Sequence, residues 1–260
     1  MLESALRALG VYKLYEGRLA TQVEKAEVPG HIGIILDGNR RWASNMGIAE
    51  GLGHEEGANR AEELLDWCNE LGVKTVTLYV LSTENLGRDS SELKGLFELI
   101  ETRLKRLLTD QRIVKYRVRV KAIGKLELLP GSIRALLTEV EDKTAGYDSH
   151  YLNIAVAYGG RAEITDMVRS VAQDVRDGKL SPQDVDEKTI SGRLYTSFLP
   201  NQEPDLIIRT SGEERMSGFM LWQGAYSELV FVDVFWPSFR KIDLMRAILT
   251  YQRRTRRQGR

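Results

Sequence analysis

One cysteine in 260 residues, Cys68, leaves no partner for a disulfide within the chain and too few thiolates for a cysteine-built zinc centre. It sits in the apolar stretch LLDWC (64–68) and reads as core rather than as a reactive thiol. Neither proline nor glycine gathers into a linker and no segment repeats, so one domain is expected. No apolar run approaches the ~18 residues of a membrane span. The first twenty residues are interrupted by charge every few positions, so they lack a signal-peptide core, and a reducing cytoplasm is the expected compartment. No sign of charge dominates, with 37 Lys plus Arg against 37 Asp plus Glu, which argues against a nucleic-acid binder that depends on overall basicity. Common nucleotide and metal signatures are missing too. Gly124-Lys125 and Gly178-Lys179 are each followed by Leu, so there is no phosphate-binding GxxxxGK[ST] loop; the glycines of GLGHEEG (51–57) are wrongly spaced for a dinucleotide fingerprint; His54 opens HEEGA, not HExxH.

What is present is a 42% apolar chain with alternating patterns. Six short segments rich in β-branched and aromatic residues read as strands: HIGIILD (31–37), KTVTLYVL (74–81), YRVRVKAIG (116–124), YLNIAVAYGG (151–160), DLIIRT (205–210) and LVFVDVFW (229–236). Four are near-continuous apolar runs, as in strands buried on both faces of a parallel sheet, whereas YRVRVKAIG alternates and belongs nearer an edge. Helical periodicity fills the gaps at about 51–71, 89–110, 131–145, 161–178 and 186–197. Leu64, Leu65, Cys68 and Leu71 share one helical face; Leu93, Leu96, Phe97, Ile100, Leu104, Leu107 and Leu108 share another. An α/β fold follows. At the N-terminus, Leu2, Leu6, Leu9 and Leu14 recur near helical spacing and predict an amphipathic helix within 1–30 that packs on the domain. The chain after 237 is basic, with Asp243 its only acid, and is expected to pack on or complete the domain of 31–237.

In open α/β sheets ligands bind beyond the carboxyl ends of the strands, and polar residues collect there. In ILDGNRRWA (35–43), Asp37 is placed to hold Mg²⁺, Gly38-Asn39 to present backbone N–H groups to an anion, and Arg40 and Arg41 to grip phosphate; an Asp-Gly turn with a surface Arg pair has the same composition. In LSTENLGR (81–88), Ser82, Glu84, Asn85 and Arg88 converge before a helix, where a plain capping segment ending in Asp89 or Ser90 is the simpler reading. In IIRTSGEERMSGF (207–219), Arg209, the Thr-Ser-Gly turn, Arg215 and Ser217 form an oxyanion-binding set, while ion pairs among Glu213, Glu214 and Arg215 would make it a solvated loop. Together, three arginine-bearing strand ends and one carboxylate suit two phosphorylated ligands and Mg²⁺.

HIGIILDGNRRWA, GLGHEEG, STEN with Arg88 close behind, NIAVAYGGR and DLIIRTSGEERMSGFMLWQGAYSELVF, in that order, resemble the successive motifs of the cis-prenyltransferases, the family of undecaprenyl diphosphate synthase. The terminal RRQG resembles the family's closing Arg-x-Gly, and the DDxxD of trans-type synthases is absent. The resemblance implies a single α/β domain with a mostly parallel six-stranded sheet, usually dimeric. The implied reaction is condensation of isopentenyl diphosphate with an allylic diphosphate to a Z-configured polyprenyl diphosphate and pyrophosphate, in the service of a polyprenyl lipid carrier. It implies that Asp37 organises Mg²⁺ and, with Asn85, assists the reacting groups. Gly38, Asn39, Arg40, Arg41, Trp42 and His54 would surround the allylic diphosphate, and Ser82, Glu84, Leu86 and Arg88 would line the same approach. Arg209, Arg215 and Ser217 would bind isopentenyl diphosphate. Glu228 would serve as a second metal-linked position near a dimer contact, and Arg257 and Gly259 would complete a site, in the same or the neighbouring subunit. Release of a lipid product implies peripheral contact with a membrane.

Three departures from the pattern of that family, at four positions, bear on substrate choice and product length: Glu50 stands where an arginine is common, Leu81 and Leu86 replace aromatics, and Glu214 replaces a histidine. A non-catalytic partner subunit would have lost the Asp-Gly-Asn motif, which this chain keeps. A nucleic-acid binder would rest on the arginine-rich tail alone, without an aromatic-basic platform.

Overall fold

The computed structural model describes residues 11–254. Six strands, β1 (His31–Ile35), β2 (Thr75–Ser82), β3 (Val118–Ile123), β4 (His150–Tyr158), β5 (Leu206–Arg209) and β6 (Glu228–Phe231), form one sheet in the order β3-β4-β2-β1-β5-β6. Every pairing is parallel. The four central strands carry the near-continuous apolar runs, because helices cover both sheet faces; alternating β3 is an edge, as its pattern predicts. β6 stops after four residues, shorter than the run LVFVDVFW suggests, since it has only the four residues of β5 to pair with.

The crossovers are helical except that from β5 to β6, where residues 210–227 form successive turns. α1 (Val11–Val23) precedes the sheet; α2 (Asn39–Met46) and α3 (Glu50–Glu70) join β1 to β2; α4 (Ser90–Thr109) and α5 (Gln111–Lys115) join β2 to β3. α6 (Gly131–Thr144) leads to β4, α7 (Gly160–Arg176) and α8 (Glu187–Ser191) lead to β5, and α9 (Lys241–Arg253) closes the described chain. Asp89 caps α4 by accepting from Ser91 N at 2.8 Å. The helix expected over 186–197 is only α8: beyond Gly192 the chain turns to bury Leu194 and Leu199.

One core cluster joins Leu19 and Val23 of α1, Leu64 and Cys68 of α3, Ile32 and Ile34 of β1, and Leu244, Met245 and Ile248 of α9. Both chain-terminal helices are thus packed on the sheet domain. Leu14 does not share in this: it is 78% exposed, and α1 buries Leu19 and Val23 instead. Leu2, Leu6 and Leu9 lie outside the described residues. Burial pushes the Cys68 thiol up to about 12, the behaviour of a core residue.

Candidate active site

β1 lies between β2 and β5; the connection from β1 leads to β2 and that from β5 leads to β6, in opposite directions along the sheet, so the carboxyl ends of β1 and β5 frame a topological switch point. Asp37 emerges there. Its backbone is fixed by Thr210, whose hydroxyl donates to the Asp37 carbonyl at 2.7 Å, and by Trp236 N, which donates to the same oxygen at 3.0 Å. Gly38 then turns with φ 107°, a left-handed conformation that favours glycine, and a Cβ there would come within 2.7 Å of the Phe235 ring. α2 begins at the next residue.

The Asp37 carboxylate lies between two guanidiniums. Arg209 Nη2 donates to Oδ2 at 2.7 Å, and Arg41 Nη2 to Oδ1 at 3.2 Å. Arg209 is 4% exposed and its Nη1 also donates to Ser217 Oγ at 2.6 Å, while its Nε is buried without a partner. Arg41 is more open; it donates to Ser211 Oγ at 2.7 Å and Glu213 Oε1 at 3.1 Å and lies over the Phe235 ring. Burial pushes the Asp37 carboxyl up, but hydrogen bonds from Arg209 and Ser211 and the charges of Arg209 and Arg41 outweigh it and hold the group below its ordinary value. Arg215 reaches outward, 63% exposed, and pairs with Glu213. Arg209 and Ser217 thus meet, while the Arg215 side chain takes part in the loop ion pair.

A second basic group stands nearby. Arg40 Nη1, His54 Nε2 and Arg88 Nη1 all face the Glu92 carboxylate, at 3.6, 3.6 and 2.7 Å. His54 Nε2 is buried and makes no hydrogen bond. Burial, with the positive charge of Arg88, lowers the His54 pKa against the pull of Glu92. Ser82 and Asn85 hold each other: Ser82 N donates to Asn85 Oδ1 at 3.2 Å and Asn85 N to Ser82 Oγ at 3.1 Å, which shapes the turn that carries Arg88. Glu84 accepts from Thr83, Leu86 packs on the cluster of Leu81 and Leu96, and Trp42 Nε1 donates to Ser238 Oγ at 2.9 Å.

α2 is seated on α3 by two glycines. A Cβ on Gly53 would lie 2.4 Å from the Asn39 carbonyl, and one on Gly57 2.2 Å from Asn39 Oδ1. GLGHEEG is therefore a close-packing motif that also sets His54 beside the anion site.

An apolar cavity of about 240 Å³ runs along the sheet between α3 and α4, from Asn39, His54 and Leu81 at the strand carboxyl ends to Lys74 and His150 at the amino ends. The seven-residue step from Leu81 to Lys74 spans roughly 23 Å of strand.

Glu228 does not join Asp37 within the chain. It opens β6, three residues and about 10 Å before the carboxyl end of that strand, and pairs with Arg254 at 2.8 Å. Arg257 and Gly259 lie outside the described residues. Glu92 and Phe235 were not singled out from the sequence, and Ser211 entered only as the middle of the Thr-Ser-Gly turn. Glu92 sits four residues after Arg88 on α4, a spacing that signals an ion pair; Phe235 left no local signal, because it meets Gly38 only through the fold.

A single carboxylate at a strand end suits Mg²⁺ held mainly by substrate phosphate and water. Among the described residues no three ligating side chains gather into a protein-only metal cage, and the surrounding guanidiniums match phosphate oxygens.

An all-parallel sheet with paired guanidiniums at its switch point, and an apolar cavity that begins at the neighbouring Asn39 and His54, suits an anionic head joined to a hydrocarbon. Residues 35–259 match the family model described as putative undecaprenyl diphosphate synthase. The chain belongs to that family, the cis-prenyltransferases, and is a transferase that joins isopentenyl diphosphate to an allylic diphosphate. It is 53% identical over 250 residues to the tritrans,polycis-undecaprenyl-diphosphate synthase (geranylgeranyl-diphosphate specific) of Methanopyrus kandleri, covering 96% of this chain and 92% of that one. The protein of the same name from Thermoplasma acidophilum is 50% identical over 248 residues, 95% of each. Among solved structures, lavandulyl diphosphate synthase from Lavandula x intermedia, in complex with dimethylallyl diphosphate, aligns with a TM-score of 0.86 at 32% identity, covering 90% of this chain and 99% of that one. A probable undecaprenyl diphosphate synthase from Campylobacter jejuni aligns with a TM-score of 0.72 at 30% identity, covering 90% of this chain and all of that one.

Proposed function

We propose that this enzyme extends geranylgeranyl diphosphate with isopentenyl diphosphate to a long Z-polyprenyl diphosphate used as a lipid carrier. The observation that carries the reading is Asp37 held ionised between Arg41 and Arg209 at the end of β1. The printed names of the archaeal relatives support the primer. The isopentenyl diphosphate lies with Arg209, Arg215 and Ser217. The allylic diphosphate lies with the N–H groups of Gly38 and Asn39, with Arg40, Arg41, His54 and Arg88, and beside Trp42. Ser82, Glu84, Asn85 and Leu86 shape the wall of that approach. The allylic C–O bond breaks, the alkene of isopentenyl diphosphate forms the new C–C bond, a proton leaves and pyrophosphate is released. Negative charge grows on the departing oxygen, where preorganised donors act most strongly. Mg²⁺, held by Asp37, supplies further charge stabilisation when bound. The product's hydrocarbon occupies the cavity between α3 and α4, each buried CH₂ contributing about 0.8 kcal/mol.

The catalytic unit is 31–237, with the helix Val11–Val23 of the 1–30 segment and the helix Lys241–Arg253 of the basic 238–260 segment packed on it. We read the molecule as a homodimer in which Glu228, Arg257 and Gly259 serve the metal and substrate near the subunit contact. The half-buried edge strand β6 and the exposed Tyr226 beside it support a partner on that side. No described helix is long and apolar enough to cross a membrane; a cytoplasmic enzyme that touches the membrane to deliver product fits that. The test is labelled isopentenyl diphosphate with primers of increasing length, with and without a Mg²⁺ chelator, the products sized by chromatography. Chelator-sensitive polyprenyl products, with the 20-carbon primer preferred, are expected. Asp37→Ala should lower turnover by at least about a hundredfold; a near-normal rate would remove Asp37 from the chemistry.

A further inference from the structure

The wall of the apolar cavity carries a charge deep along α4. Among Leu96, Leu99, Ile100, Leu104 and Leu107, the cavity is also lined by Arg103, whose side chain is only 16% exposed. A guanidinium in such surroundings is costly unless its donors are matched. Its terminal nitrogens are matched here, and every acceptor belongs to the facing helix α3. Nη1 donates to Glu62 Oε1 at 2.5 Å, and Nη2 donates to Asn59 Oδ1 at 2.7 Å and to the Glu55 carbonyl at 3.4 Å. Nε is buried with no partner. Arg103 is therefore a cross-link between the two helices that wall the cavity. Opposite it, α3 offers the cavity Gly57, Ala58 and Ala61, short side chains that fill little of the gap.

The depth of this cross-link gives it meaning. Arg103 lies eleven residues beyond Glu92, about 16 Å further along the helix axis, so the extended 20-carbon primer, anchored by its diphosphate at the strand ends, already reaches its level and each added unit must pass it.

We propose that Arg103 is a product-length-determining residue: its cross-link to Glu62 and Asn59 fixes the separation of α3 and α4 and slows elongation progressively as the growing chain is pushed past it. This rests on the prenyl-transfer reading above. A longer chain must either part the helices, which breaks charge-assisted bonds, or lie against a buried guanidinium with an unmatched N–H. Both disfavour further growth.

The test uses the full chain as wild type, Arg103→Leu, Arg103→Lys and Glu62→Gln, with Mg²⁺, geranylgeranyl diphosphate and labelled isopentenyl diphosphate. Products are dephosphorylated and sized, and a thermal melt accompanies each variant. Arg103→Leu and Glu62→Gln are expected to move the main product up by at least one isoprene unit. Arg103→Lys, which keeps a charge contact but loses the fork, should move it less. Glu62 is 38% exposed, so Glu62→Gln keeps the test open if Arg103→Leu folds poorly. A wild type that makes no polyprenyl product overturns the prenyl-transfer reading and this inference with it. Wild-type product with an unchanged or shortened distribution in Glu62→Gln and in folded Arg103→Leu overturns this inference alone.

Discussion

The Arg209 guanidinium is shared: one nitrogen holds Asp37, the other holds Ser217. That sharing couples two binding loops through one buried cation, and it has a measurable consequence. In Arg209→Gln, burial becomes the dominant influence on Asp37, so its carboxyl pKa rises. The acid limb of the kcat/KM profile should then move to higher pH, and the KM for isopentenyl diphosphate should rise about ten- to a hundredfold, the worth of lost charge-assisted bonds at ~1.5–3 kcal/mol. An acid limb that stays in place would show that Asp37 does not titrate in that profile. Asp37 and the arginines were legible from their places at the ends of apolar runs. Glu92 was harder to see, because a carboxylate facing two arginines and a histidine becomes evident only when Arg40, His54 and Arg88 are brought to it.

At the scale of elements, the seating of α2 on α3 sets where two guanidiniums stand, because α2 begins at Asn39 and carries Arg40 and Arg41. Gly57→Ala places a methyl 2.2 Å from Asn39 Oδ1 and 3.0 Å from the Trp236 ring. Overpacking of that kind costs about 1–3 kcal/mol, so the denaturation midpoint should fall and the KM for the allylic substrate should rise with it. Gly51, in the same helix, has nothing within 4 Å. Gly51→Ala should therefore be neutral or stabilising by up to ~1 kcal/mol. Equal loss of stability in both variants would mean that the glycines act through the chain's freedom rather than through close packing. Their spacing was plain in the sequence, but what they approached was not.

Across the whole molecule, a polar chain ties the middle of the sheet together at the end away from the active site. His31 Nδ1–H of β1 donates to the Asn201 carbonyl at 3.1 Å, which leaves Nε2 as acceptor of the Thr77 hydroxyl of β2 at 2.8 Å; Thr77 in turn accepts from Asn153 of β4 at 2.8 Å. This arrangement needs a neutral imidazole. Burial lowers the His31 pKa from 6.5 to about 4, partly opposed by the Asn201 hydrogen bond and the charge of Asp205. Between those two values the unfolded chain binds the extra proton, so the contribution is complete above about pH 6.5 and is lost as pH falls toward 4. The shift corresponds to about 3 kcal/mol. Urea midpoints measured from pH 7 to 4 should fall in wild type and fall less in His31→Gln; parallel curves would place the titrating group elsewhere.

The strand runs, the single domain and the order of the motifs were determined by the sequence itself, because burial on both faces of a parallel sheet demands continuous apolar stretches and leaves polar residues at their ends. Even the edge position of β3 was written in its alternation. Tertiary structure alone decided which ends meet. Asp37 and Arg209 are 172 residues apart and touch because β1 and β5 are neighbours; Glu228, which shares β6 with that edge of the sheet, is left at its far end because the strand is parallel. Arg103 looked like one more charge on an amphipathic helix. Its cross-link to α3 exists only because the fold holds two helices over one cavity, and no local pattern encodes that distance.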